Sequence, residues 1–280
     1  MSDVTEFDAG PGMPAAFLGA GRPSFVELLT RHAPGLLPVN RSPLEQAEIR
    51  HGTTVLALTF AGGVMMAGDR RATAGNMIAK RDVQKVQPAD QYSAVAFAGA
   101  LGIAVELVRL FQVELEHYEK MERAALSLDG KARRLGTVVR QNLPLAMQGL
   151  AVVPLFAGYD LDAGVGRIFS FEPTGGPYEE TDFHADGSGS PYARGALKKL
   201  YRPGLNYRQA AEVCVEALYD AADDDTATGG PDLSRDLYPV IAAVSADGYQ
   251  RLPDHEVREI AHAMVDARHE RPDGPVAPLR

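Results

Sequence analysis

Gly52-Thr53-Thr54-Val55-Leu56-Ala57-Leu58-Thr59-Phe60, then Gly62-Gly63, then Val64-Met65-Met66-Ala67-Gly68-Asp69, is a β-branched apolar run, a glycine pair and a second apolar run. The pattern predicts an antiparallel hairpin over residues 54–69 with its turn at Gly62-Gly63. The returning strand brings Asp69 back beside Thr53. Side chains alternate along a strand, so Thr53 and Thr54 face opposite sides. A further short strand starts at Lys85-Val86-Gln87 and offers a lysine to the same region. Taken singly, the first run is also an ordinary half-buried strand, and Asp69 and Lys85 are ordinary charges.

Cleavage between Gly52 and Thr53 would give Thr53 a free α-amine beside its own hydroxyl. A threonine hydroxyl is a weak nucleophile at neutral pH, and an α-amine that titrates near about pH 8 is well placed to take its proton. The β-methyl restricts χ1 and so holds the hydroxyl towards an incoming carbonyl. Gly52 tolerates unusual backbone angles, which suits a peptide bond bent towards attack. Burial disfavours the ammonium form of a lysine, and a carboxylate partner such as Asp69 keeps it oriented and charged. Thr54 leaves a one-residue ambiguity in the cut; alternation lets only one of the two threonines meet Lys85, and Thr53 is the expected nucleophile.

The stretch from His51 to Val86 resembles the start of a mature proteasome β subunit of the actinobacterial type. It combines Gly52-Thr53-Thr54, Ala67-Gly68-Asp69-Arg70-Arg71 and Arg81-Asp82-Val83-Gln84-Lys85-Val86 in the family's order and spacing. Ala98-Gly99, the run 113–120, Gly158-Tyr159-Asp160, Gly187-Ser188-Gly189-Ser190 and the run 223–232 extend the similarity over roughly residues 51 to 270. The resemblance implies a threonine endopeptidase without cofactor or metal. Thr53 would be its nucleophile, Asp69 and Lys85 the charged neighbours, and Ser188, Asp225 and Thr228 the surroundings of the terminal amine. Thr228 stands where many relatives carry serine, and it keeps the hydroxyl. Gly99 matches the glycine whose N–H stabilises the oxyanion, a contribution of about 3 kcal/mol. Thr73 matches a residue that pairs with the substrate backbone. Ala72, Val83, Phe97 and Leu101 fall where the family builds its primary specificity pocket; here they make it apolar, which implies cleavage after hydrophobic residues.

The same resemblance implies a propeptide, residues 1–52, removed by autocatalysis, and a mature domain over 53–280; the terminal stretch Pro272 to Pro278 reads as a mobile tail from about residue 270. It implies two homo-heptameric β rings per core, flanked by α-subunit rings. A hexameric AAA ATPase and substrates carrying a ubiquitin-like tag act with it indirectly. Two other classes stay open on the residues alone: an N-terminal-nucleophile amidohydrolase outside the proteasome, and a non-catalytic ring subunit.

The remaining sequence sets limits. The chain has 280 residues, is 45% hydrophobic and carries a net charge of −9, enough apolar content for one large domain and a poor match to a nucleic-acid surface. The single cysteine suits a reducing compartment, and the acidic opening Ser2, Asp3, Glu6, Asp8 does not read as a signal segment, so a cytoplasmic protein is expected. Leu143 to Gly158 is the most apolar stretch, but Pro144, Gln148, Gly149 and Pro154 break it, as a helix end followed by a buried strand would. The seven histidines show no metal-ligand spacing. Gly187-Ser188-Gly189-Ser190 reads as a flexible turn or a phosphate loop, without the lysine of a P-loop.

The first 51 residues differ from the rest, with an apolar patch at Phe25, Val26, Leu28 and Leu29; they mask the Thr53 amine or form a disordered tail. Ala104, Val108, Phe111 and Leu115 repeat on one helical face, and residues 131–147 have a similar rhythm. Strands are expected at 92–98, 150–159, 167–171, 237–245 and 249–252, and helices at 190–200, 207–222 and 256–268. The 207–222 helix ends in Asp223-Asp224-Asp225, against the helix dipole; the cluster is a solvated cap, a weak cation site or, by resemblance, a partner for Thr53. Strands, helices, strands, helices, strands and a last helix make an α+β sandwich of two antiparallel sheets under helical layers. The resemblance makes it a four-layer αββα sandwich.

Overall fold

The computed structural model of the chain describes residues 52–277. The expected leader up to residue 51, with its apolar patch at Phe25 to Leu29, lies outside the described residues, as do 278–280. The first hairpin is β1 (Thr54–Phe60) and β2 (Gly63–Gly68), paired from Val55↔Gly68 to Phe60↔Gly63. Its turn is Ala61-Gly62, one residue earlier than expected. Gly63 is already paired in the strand, so close to a neighbouring strand that a Cβ there would lie 2.2 Å from the Val244 carbonyl oxygen.

The chain continues through β3 (Ala72–Ala74), β4 (Met77–Lys80), β5 (Val86–Asp90), β6 (Ser93–Gly99), α1 (Leu101–Glu122), α2 (Leu128–Gln141) and α3 (Leu143–Ala146). It then forms β7 (Val152–Asp160), β8 (Val165–Phe171), β9 (Pro177–Glu180), β10 (Phe183–Gly187), α4 (Ser190–Leu200) and α5 (Tyr207–Asp224). Last come β11 (Val240–Ser245), β12 (Gly248–Arg251) and α6 (Asp254–Glu270). The expected 131–147 helix is two elements. It starts earlier, at Leu128, because the Ser127 hydroxyl accepts from the Gly130 N–H and caps it. It stops at Gln141, because Pro144 has no N–H for the ladder and serves instead in the first turn of α3.

Two five-stranded antiparallel sheets result, in the orders β10-β1-β2-β11-β12 and β5-β6-β7-β8-β9, with β3-β4 as a separate small hairpin. Alternation along β1 sorts its side chains between two cores. Val55 and Ala57 join Met66, Ala94, Leu155 and Ile168 between the sheets. Leu56 and Leu58 join Leu197, Leu218 and Ile260 under α4, α5 and α6. On the far side, Phe111, Leu135, Phe156 and Phe169 seal α1 and α2 against the second sheet. Three apolar layers between four layers of structure are the αββα sandwich. The α1 stripe Ala104, Val108, Phe111 and Leu115 is the buried face, as its spacing predicts. Full burial of a side chain such as Val108, Phe111 or Leu115 contributes about 1.5–3 kcal/mol relative to exposure.

Candidate active site

The site begins one residue before β1. The peptide between Thr53 and Thr54 is gripped on both sides: its carbonyl accepts from the Ser188 N–H at 2.9 Å, and its N–H donates to Asp69 Oδ1 at 2.9 Å. The first grip depends on Gly187, whose φ is +101° and where a Cβ would lie 1.8 Å from the Thr53 carbonyl oxygen. Only a residue without a side chain brings β10 this close.

Asp69, delivered by the end of β2, is fully buried, and four donors meet its carboxylate. Oδ1 accepts from the Thr54 N–H and from Lys85 Nζ at 2.5 Å. Oδ2 accepts from the Arg71 N–H at 2.8 Å and the Gly229 N–H at 2.9 Å. Lys85 precedes β5, and its side chain is only 2% exposed. Burial pushes its ammonium below the ordinary lysine value, against the pull of the Asp69 charge and hydrogen bond.

Thr53 is itself buried. Its hydroxyl donates to the Gly52 carbonyl at 2.8 Å, and the Gly52 N–H donates to Thr73 Oγ1 at 3.1 Å. Thr53 and Lys85 line one cleft with Phe97, Gly99 and Leu101. Gln84, Gln87 and the α1 residues Ala104, Val105 and Val108 complete its walls. Ala72 and Val83, expected in the specificity pocket, are buried but are not among the lining of this cleft. The walls that the sequence reading left out are Gln84 and Gln87 beside Lys85, and Ala104, Val105 and Val108 on α1, where Ala104 and Val108 read as core. A helix stripe that ends over a cleft has no separate signature.

On the other side of the Thr53 backbone, Asp225 terminates α5. Its Oδ2 accepts from the Ser188 hydroxyl at 2.5 Å and the Thr228 hydroxyl at 2.6 Å, and its Oδ1 from the Ala227 N–H at 3.1 Å. The structure thus gathers Ser188, Asp225 and Thr228 into one cluster, while Asp223 and Asp224 are exposed. The Arg71 guanidinium, which carried no expected role, donates to the Thr226 carbonyl at 3.0 Å and ties this loop to the Asp69 segment.

Comparison with known proteins bears on this arrangement. A family described as "Proteasome subunit" matches residues 49–232, well over half of the chain. The chain belongs to the proteasome subunit family. Among its relatives in that family, "Proteasome subunit beta 2" of Thermomonospora curvata is 63% identical over 99% of this chain and 100% of its own length. "Proteasome subunit beta" of Streptomyces griseus is 58% identical over 95% of this chain and 96% of its own. "Proteasome subunit beta 1" of Streptomyces avermitilis is 56% identical over 99% of this chain and all of its own. The likeness runs along nearly the whole of proteasome β subunits from actinobacteria, so within the family the chain is of the β type. Among the described residues no helix is long and apolar enough to cross a membrane.

Proposed function

We propose that the chain is the proteolytic β subunit of a 20S-type core, a threonine endopeptidase that activates itself by cutting the Gly52-Thr53 bond. The observation that carries this reading is the placement of the Thr53 hydroxyl. It lies 2.8 Å from the carbonyl oxygen of that bond, in a cleft shared with a buried lysine whose ammonium form is disfavoured. In the precursor, Thr53 Oγ1 attacks the Gly52 carbonyl carbon, the C–N bond breaks as the nitrogen takes up a proton, and water hydrolyses the resulting ester. Residues 1–52 leave, and Thr53 to Arg280 remain as the mature domain.

In the mature subunit, Thr53 Oγ1 attacks a substrate carbonyl while the free α-amine accepts its proton and passes it to the departing amine. Water then releases the acyl group. Lys85 shares the cleft with the hydroxyl, oriented by Asp69, whose charge opposes the effect of burial on the ammonium form, and Ser188, Asp225 and Thr228 order the amine. The Gly99 N–H holds the oxyanion, and Thr73 pairs with the substrate backbone. Phe97, Leu101, Ala104, Val105 and Val108 give the cleft an apolar wall, which supports cleavage after hydrophobic residues. Ala72 and Val83 would then act on specificity from outside that lining. The assembly that fits this role is a pair of heptameric β rings between α-subunit rings in the cytoplasm. A hexameric ATPase would supply unfolded substrates, some carrying a ubiquitin-like tag.

The decisive experiment is the intact mass and N-terminal sequence of the chain from its own assembled core, wild type beside Thr53→Ala. A wild-type chain that begins at Thr53 and a mutant left uncut are expected. A wild-type chain that keeps residues 1–52 in an assembled core would overturn the peptidase reading and favour a structural ring subunit.

A further inference from the structure

Thr54 takes no part in the steps above, yet its hydroxyl is fully buried and engaged. Residues 54, 56 and 58 share the face of β1 that meets α4 and α5, so Thr54 lies on the side of the strand away from the cleft. There its oxygen is 2.6 Å from the Thr228 hydroxyl, and it accepts the Gly189 N–H at 3.0 Å. A threonine hydroxyl has one proton to give and two lone pairs. The Thr228 proton goes to Asp225 Oδ2 at 2.6 Å. In the contact between the two threonines, therefore, Thr54 is the donor.

A one-way chain follows: Gly189 N–H to Thr54, Thr54 to Thr228, Thr228 to Asp225, with the Ser188 hydroxyl arriving on the same carboxylate oxygen. Hydrogen bonds in series polarise one another. The chain has little freedom, because Thr54 and Thr228 are both 0% exposed. A Cβ on Gly189 would lie 2.5 Å from the Thr54 hydroxyl and 2.7 Å from that of Thr228. With its proton committed to Asp225 and one lone pair to Thr54, Thr228 keeps one lone pair, which it can offer to the α-amine of a cut Thr53.

We propose that Thr54 is a positioning residue for the reaction at Thr53: its hydroxyl sets the direction of the Thr228 hydroxyl and through it the order of Asp225 and Ser188 around the new amine. The proposal rests on the reading of Thr53 as nucleophile. A merely structural Thr54 would fill space and satisfy the Gly189 N–H, and its loss would lower stability without separating kcat from KM.

The test compares wild type with Thr54→Val, which keeps the shape and loses the hydroxyl, and Thr54→Ser, which keeps the hydroxyl, each assembled with its α subunits and shown by intact mass to begin at Thr53. On a peptide ending in a hydrophobic residue before the cut, Thr54→Val should lose about tenfold in kcat with KM nearly unchanged, and Thr54→Ser should stay within about twofold of wild type. Wild-type kcat in Thr54→Val, or an equal loss in both variants, overturns the proposal. If Thr54→Val does not assemble, Thr54→Cys takes its place beside Thr54→Ser, which has the same shape and a stronger donor; a kcat in Thr54→Cys equal to that of Thr54→Ser overturns the proposal in the same way. A wild-type core that is uncut and inactive sinks the nucleophile reading instead, so the two failures are distinct.

Discussion

Gly52 sits where a side chain has no room. A Cβ built on it would lie 1.8 Å from the Ala227 Cβ and 2.8 Å from the Ala227 Cα, so glycine is required here by close approach. The loop that carries Thr228 therefore presses on Gly52, the residue before the proposed cut. In Gly52→Ala, that bond must move away from its neighbours, and self-cleavage should slow by about tenfold or more, since misplacement of reacting groups by about 1 Å can cost 100-fold. A time course of precursor mass measures it. Adding Ala227→Gly removes the nearer of the two contacts and should restore part of the rate. On the proposed cut, residue 52 leaves with the leader, so finished Gly52→Ala particles should hydrolyse peptides at the wild-type rate. Cleavage of Gly52→Ala as fast as wild type would dismiss the steric account.

Among the elements, β10 ties one sheet to the other and to the site. His184 on β10 places Nδ1 3.1 Å from Glu180 of β9 and Nε2 3.4 Å from Asp186, one residue before Gly187. Burial pulls its imidazolium down, and Arg194 on α4 adds repulsion. The hydrogen bond and charge of Asp186 and the charge of Glu180 outweigh both, so the folded value lies above the ordinary 6.5. A raised folded value means that this contribution to stability is fully present below about pH 6.5 and is lost as pH rises through the folded value. Melting curves of wild type and His184→Gln should therefore differ by a few degrees at pH 6 and converge by pH 9. A gap that stays constant across that range would show that the charge is not what matters.

The same strand marks what a sequence reading can and cannot supply. Apolar runs with clear periods, such as β1, β2, β6 and the buried face of α1, were legible to within a residue or two. β3, β4, β9 and β10 were not, for their sequences Ala-Thr-Ala, Met-Ile-Ala-Lys, Pro-Tyr-Glu-Glu and Phe-His-Ala-Asp-Gly are short and carry no clean alternation. They are strands because a neighbour supplies the pairing: β1 for β10, β8 for β9. Of the site, Thr53, Asp69 and Lys85 stood out as a motif series. Val105 and Gln87 did not, because nothing local distinguishes a cleft wall from any other helix or strand position.

At the scale of the whole molecule, stability rests on three apolar layers that share two sheets. Phe156 is fully buried between the second sheet and α1, edge-on to Phe111 at 6.0 Å and beside Phe169 at the same distance. Phe156→Ala should cost about 3–5 kcal/mol. Because the sheets are common to neighbouring layers, the loss should appear as one transition shifted to lower temperature, coincident in far- and near-ultraviolet circular dichroism. Two separate transitions would show that the outer layer unfolds by itself.

The carboxylate of Asp69 has a consequence in time as well as in space. Its four donors come from Thr54, Arg71, Lys85 and Gly229, and the last of these is 160 residues further along the chain. Asp225 and Thr228 enter just before it. A ribosome makes Thr53 early and Gly229 late, so if Thr53 is the nucleophile proposed above, the growing chain carries it through most of its synthesis without the surroundings to use it. The delay is written into the order of the residues and needs no separate inhibitor.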